Sequence, residues 1–356
     1  MATKTKIRQY LDALRQRQIN FRELNAVLRS QDMPTATGWD RLIPKFEALA
    51  ADVDIDAYEN VLKLLYRNHV LYSERAVVVF QFPDGELAPM LRNLDSWVDS
   101  TSSFAKAFPF PVKEDALRAL PSDPVYTMLT KKTREIGGDA LIACSKRYVR
   151  SREVIEYSDF PKEVLTALAG YDEIVGIKSK FVQAFDSIIF LPDEDRIVLT
   201  IDLCGNLSLQ DVGRAVLVHI ELLNERFSSA GFKGNVSDLR LNFFPMISAL
   251  YSTKDGVVER IGHVTTSGSN KNERMRARDS DLRLEPYHKE GLKAILGGTD
   301  LFSIGKRWDG GGYTIGLEIP GTHKQAGDPD AVIQVAIFDG CRNGLDFKTV
   351  LNYLVQ

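Results

Sequence analysis

Apolar residues recur at helical spacing from the N-terminus to Asn68, and β-branched runs take over after that. Ile7, Tyr10, Leu11 and Leu14 form one stripe, as an amphipathic helix requires. Asn20-Phe21-Arg22-Glu23 reads as a capping-box-like start to a second helix carrying Phe21, Leu24, Val27 and Leu28. A break at Asp32-Met33-Pro34 precedes a third helix near Trp39 to Leu49. Tyr58, Val61, Leu62 and Leu65 mark the buried side of a fourth, near Asp56 to Asn68. The run Ala76 to Phe82 is β-branched and aromatic, a strand. Short helices followed by a strand predict a winged-helix-like module over residues 1–82.

Prolines at 83, 89, 109, 111, 121 and 124 punctuate the next stretch, which reads as a connector over 83–124 with one or two short helices. Residues 125–356 then predict a larger mixed α+β domain with mostly antiparallel strands. Ala140 to Cys144 reads as a strand and Val164 to Ala169 as a short helix. Phe181–Leu191 and Arg196–Leu203 flank the acidic turn Pro192-Asp193-Glu194-Asp195, a hairpin pattern. Ser208 caps a long helix through Val216, Ile220, Leu223 and Phe227 that stops at Gly231. Leu301–Trp308, Tyr313–Ile319 and Ala331–Phe338 predict three strands in a meander, and Asp346–Val355 a closing helix.

One stretch breaks this rhythm. After the strand Gly256–Ile261 comes a polar insert, placed at 262–286, of glycines and hydroxyls first and arginines later. Ordinary connections run to about four to six residues, so a structureless run of this length points to a partner-binding or mobile loop.

At 356 residues the chain exceeds what one growing hydrophobic core supports, so two or three domains are expected. Its formal charge of -3 removes any global polyanion-binding signature, and contact with nucleic acid must come from a local basic surface. Cys144, Cys204 and Cys341 are an odd, scattered set with no CxxC pair, against a disulfide framework or a zinc site. The charged amphipathic N-terminus lacks a secretory core and the longest apolar runs are far too short for a bilayer, so a soluble cytoplasmic protein without a membrane partner is expected.

Two basic clusters carry the functional expectation. In the first thirty residues Lys4, Lys6, Arg8, Arg15, Arg17, Arg22 and Arg29 face only Asp12 and Glu23 and sit off the apolar stripe, predicting a solvent-facing surface able to neutralise phosphates. In the insert, Lys271, Arg274, Arg276 and Arg278 supply a second set, with Gly262, Gly268 and the hydroxyls of Thr265, Thr266, Ser267 and Ser269 offering anion contacts. The expectation is a nucleic-acid-binding regulator or component of a multi-protein system. A protein-docking or oligomeric scaffold subunit, and an enzyme processing a phosphorylated or nucleotide substrate at the insert, stay open beside it.

No complete catalytic, cofactor or metal motif is present. The order GxxxxGK[ST] is missing, as is GxGxxG, and Gly310-Gly311-Gly312 reads as a hairpin loop. Glu173 and Lys178 are five apart, the wrong spacing for a metal-dependent nuclease. His69, His219, His263, His288 and His323 are scattered. His263 and His288 bracket the insert and could meet in space, but a pair without placed carboxylates is weak evidence for a metal.

Overall fold

The strand Arg75–Gln81 (β1) is apolar at nearly every position and buried along its length. Val77 and Val79 belong to one hydrophobic core, and Ala76, Val78 and Phe80 to another. A strand buried on both faces requires a sheet covered on both sides. The computed structural model, which describes residues 2–50, 53–133, 135–155, 160–168, 170–203, 207–277, 280–295 and 298–356, supplies one.

Ten strands form one antiparallel sheet among the described residues. From one edge to the other they run β2 (Val125–Thr133), β3 (Gly138–Val154), β4 (Val175–Leu191), β5 (Arg196–Asp202), β1, β10 (Ala336–Asp339), β9 (Thr314–Ile319), β8 (Thr299–Asp309), β6 (Val257–Thr265) and β7 (Asn270–Arg274). The β4–β5 hairpin pairs Ser187 with Thr200 through Leu191 with Arg196, and a 3-10 turn at Pro192–Glu194 closes it. The meander expected near the C-terminus is present as β8, β9 and β10.

Helices α1 (Ala2–Gln16), α2 (Phe21–Ser30), α3 (Trp39–Glu47), α4 (Ile55–Tyr72) and α12 (Gly344–Leu354) share the first core with Val77 and Val79. Asn20 caps α2 by accepting from the Arg22 N–H, and Asp54 caps α4 in the same way through the Ala57 N–H. Short helices α6 (Ser103–Ala107) and α7 (Glu114–Ala119) add Phe104 and Leu117 to that core, and α10 (Met246–Ser252) adds Ile247 and Leu250. The opposite face is covered by α5 (Leu87–Met90) and the long α9 (Leu209–Ser229), whose Val212, Val216, Ile220, Leu223 and Phe227 lie against Val78, Phe80 and Leu199. Burying each such side chain contributes roughly 1.5–3 kcal/mol, so the two cores hold the layers together. Helices α8 (Lys162–Leu168) and α11 (Pro286–Ala294) lie on connections.

The fold is therefore mixed α+β with antiparallel strands. Segments 1–82 and 125–356 supply the strands of one sheet, and the segment at 83–124 adds side chains to both of its cores. The strand that follows α4 pairs with β5 and β10, both remote in sequence, and not with a local wing, so the winged-helix outline is not confirmed.

The polar insert is not a structureless loop. Its first half continues β6 and turns back as β7, pairing Val264 with Asn270 through Arg260 with Arg274. Gly262, expected to admit an anion, instead makes room for β8, because a Cβ there would sit 2.3 Å from the Phe302 ring and the Ser303 hydroxyl. Two of the hydroxyls are engaged locally: Thr265 Oγ1 lies 2.9 Å from Ser267 Oγ and accepts the Ser269 N–H at 3.1 Å. Gly268, at φ +81°, makes the turn. No helix among the described residues is long and apolar enough to cross a membrane.

Candidate nucleic-acid interface

Strands β3 and β4 are each 17 residues long and change character half-way. Their inner halves, Ala140–Cys144 and Phe185–Leu191, are buried and sit between β2 and β5. Beyond the Val125–Cys144 pair β2 ends, and beyond the Ser187–Thr200 pair β5 no longer follows β4. The outer halves continue to pair only with each other, Lys146 with Gln183 out to Val154 with Val175. The result is a two-stranded ribbon, on the order of 30 Å long at the usual rise per residue.

The ribbon's stem is basic. The sequence sets Lys146, Arg147, Arg150 and Arg152 on its first strand and Lys178 and Lys180 on its second, against Glu153 alone. Tyr148 and Phe181 are direct cross-strand partners whose rings lie 5.6 Å apart. Tyr148 is 56% exposed, and the Lys146 ammonium stands 4.9 Å from the Phe181 centroid, a cation–π contact. The connection at the far end has the opposite sign, with Asp172 and Glu173 exposed there.

At the root of the ribbon lies a buried charge network. Asp186 and Asp202 are acids inside apolar strands, and such groups must be paired to be tolerated. Arg17, just past the end of α1, grips Asp202 with two bonds of 3.0 and 3.1 Å, and Arg75 stands 3.5 Å from the same carboxylate. The Phe185 N–H also donates to it at 2.9 Å. Burial by itself would raise the Asp202 carboxyl, but Arg17 and Arg75 outweigh it and hold the group far below the usual range. Asp186 is depressed in the same way against its burial, by Arg147 and by His219. Its Oδ2 accepts from Arg147 and, at 2.9 Å, from His219 Nε2 on α9, while its Oδ1 accepts the Asp202 N–H at 2.8 Å. His219 Nδ1 is buried without a hydrogen-bond partner. Nearby His69 is pushed down to about 3 by burial and by Arg17 and Arg75.

Above this network a cleft of about 440 Å³ opens between the stem and α9. Its lining includes residues 145–148 of β3, Asp186 of β4 and Asp211, Arg214 and His219 of α9; within it Arg147 is paired with Asp186, and Arg214 with Asp211 at 3.0 Å.

The residues expected to meet phosphate scatter over the surface. Arg8 is engaged by Asp12 and Glu47, and Arg15 by Asp40. Arg17 corrects the expectation of a solvent-facing cluster, since its side chain is 4% exposed and committed to Asp202. It stands one residue past the end of α1, and its side chain reaches Asp202 at the end of β5. Arg22 and Arg29 are exposed on α2, as are Lys271 and Arg276 in the insert. Arg274 pairs with Glu259, and Arg278 lies outside the described residues.

His263 and His288 do meet, through a carboxylate. Glu273 of β7 accepts from His263 Nε2 at 2.7 Å and from His288 Nδ1 at 3.0 Å, while the Tyr251 hydroxyl stands 2.9 Å from His288 Nε2. This chain ties β6, β7, α10 and α11 together. Among the described residues no group of three or more His, Cys, Asp or Glu is placed to hold a metal ion. Cys144 and Cys341 are buried free thiols, Cys144 pushed up to about 12 by burial, and Cys204 lies outside the described residues.

Sequence reasoning passed over the ribbon because its outer strands are polar, although Lys146 to Val154 and Val175 to Lys180 carry six basic residues against one acid. It also passed over Asp186, Asp202 and Arg147. A lone acid inside an apolar strand pattern is the signal that finds the first two. No known family model matches the chain, and no curated protein matches it either.

Proposed function

We propose that this protein binds nucleic acid through the stem of the β3–β4 ribbon, and not chiefly through its N-terminal helices. The supporting observation is a two-stranded element that, among the described residues, pairs with no third strand; its sequence sets Lys146, Arg150, Arg152, Lys178 and Lys180 against Glu153 alone, and it presents a large aromatic ring. A ribbon of this width matches the dimensions of nucleic-acid grooves and strands, and its charge supplies the phosphate contacts that dominate affinity. The Asp186 and Asp202 network makes the root rigid, since each acid is held from several elements at once.

The reading is tested by binding of fluorescently labelled oligonucleotides to the full chain over a salt series. Substituting Arg150→Ser, Arg152→Ser and Lys180→Ser together is expected to weaken binding strongly and flatten its salt dependence. The pair Arg22→Ser and Arg29→Ser is expected to change it little. The reverse ranking returns the interface to the N-terminal helices.

A further inference from the structure

Phosphate contacts leave one property of the ribbon without a use, its open apolar face. The register runs unbroken outward from Tyr148–Phe181 through Arg152–Ile177 to Val154–Val175. Side chains alternate along a strand, so Phe181, Ile177 and Val175 share one face of β4, with Tyr148 across from Phe181. That row lies open to solvent beyond Phe181: Ile177 is 65% exposed, and Tyr148 and Val175 are exposed with it. At the far end Tyr171 and Val164 are exposed as well, and α8 buries none of its residues. A two-stranded hairpin by itself is only marginally stable in water, and a contiguous open apolar surface marks a contact.

Charge decides what covers it. The connection from Ile155 to Ile174 sets Glu156, Asp159, Glu163, Asp172 and Glu173 against Lys162 alone, whereas the stem is basic. Those acids repel a polyanion or an anionic lipid surface, so neither fits the whole face. A ribbon positive near its root and negative at its end complements itself when turned end for end. We propose that the occupant is the ribbon of a second copy of this chain, the acidic end of each lying on the basic stem of the other and the apolar rows between them. A two-fold axis produces that arrangement and uses the same patch on both copies. The face from Tyr148 to Val175 spans about 20 Å by 10 Å, less than the roughly 800 Å² per partner of a standard interface, so the dimer is expected to dissociate at micromolar concentrations. The acidic ends then occupy the stems, so pairing of the two copies and binding of nucleic acid exclude one another. That last consequence alone rests on the nucleic-acid reading.

The test is analytical ultracentrifugation of the full chain without nucleic acid, at low salt, from low to high micromolar concentration. Three variants are measured beside the natural chain: Ile177→Glu, the pair Asp172→Lys with Glu173→Lys, and Leu64→Glu as a control on α4. All four side chains are exposed, so thermal unfolding is expected to be unchanged in each. The expected result is a reversible monomer–dimer equilibrium, weakened by salt and about tenfold or more by Ile177→Glu and by the charge reversal, and indifferent to Leu64→Glu. A monomer at every concentration overturns the inference. So does a dimer that neither Ile177→Glu nor the charge reversal weakens, since its contact lies elsewhere. A short oligothymidylate is then added, and one copy per complex is expected. A dimer that keeps its mass with the oligonucleotide bound overturns the exclusion. No binding of the oligonucleotide counts against the nucleic-acid reading and leaves the dimer result standing.

Discussion

Replacing Arg17 with alanine separates a structural arginine from a surface one. In the fold its guanidinium is fully enclosed, makes two bonds of 3.0 and 3.1 Å to Asp202, and lies 5.1 Å from the Phe185 ring. Removal leaves a buried carboxylate with Arg75 and the Phe185 N–H among its remaining partners, and an empty space beside the ring. Breaking one side of a buried pair costs about 3–5 kcal/mol, and the retained Arg75 places this case near the lower end, about 3 kcal/mol. With an unfolding entropy of about 2.1 cal/mol/K per residue, a chain of this length loses only about 4 °C in Tm for that change. Urea unfolding followed by tryptophan fluorescence is therefore the better assay, read as a lower midpoint at unchanged slope. A loss below about 1 kcal/mol, the size typical of exposed side chains, would refute the buried pairing and restore Arg17 to the surface.

Other consequences are as specific. His69 is held neutral in the folded protein down to about pH 3, whereas in the unfolded chain it takes up a proton near pH 6.5. Between those values only the unfolded state binds that proton, so stability rises with pH by up to about 1.4 kcal/mol per unit and is lost on acidification. His69→Gln is expected to flatten that slope in a urea series from pH 4 to 7, and an unaltered slope contradicts the assignment. Asp186 and Asp202, both depressed, add a loss of the same sign below about pH 4, as they become protonated on unfolding. Glu273→Ala removes the acceptor shared by His263 and His288 and is expected to cost about 1–3 kcal/mol, with faster hydrogen exchange confined to β6, β7 and α11. Unchanged exchange there shows that the hairpin is held by other contacts.

Much of the fold was legible in local pattern. The four N-terminal helices, the β4–β5 hairpin, α9 with its Ser208 cap and the C-terminal meander all carry apolar periodicity matching their environment, each with a covered face. What periodicity does not encode is which strand lies beside which. Arg75 pairs with Phe338 and with Asp202 across long stretches of chain, and these pairings, not the prolines of 83–124, decide how the segments join. The insert misled because its polarity has another source. β7 is an edge strand with one neighbour, and lysine, asparagine and arginine suit a strand whose outer side meets water. The ribbon was hidden because its outer strands carry six basic residues among few apolar ones, which leaves no clear apolar alternation to display. Charge counting found arginines but not their partners, so Arg17 and Arg22 looked alike although one is buried on Asp202 and the other is solvated.

The most direct measurement is the salt dependence of single-strand binding by the natural chain and by the Arg150→Ser, Arg152→Ser, Lys180→Ser variant. Each phosphate contact on a single strand contributes roughly 0.7 to the slope of log affinity against log salt, so losing three contacts is predicted to reduce the slope by about 2. The natural chain is predicted to bind steeply and the variant weakly and shallowly. Identical slopes in the two proteins, or no binding by the natural chain at low salt, contradict the ribbon as the interface.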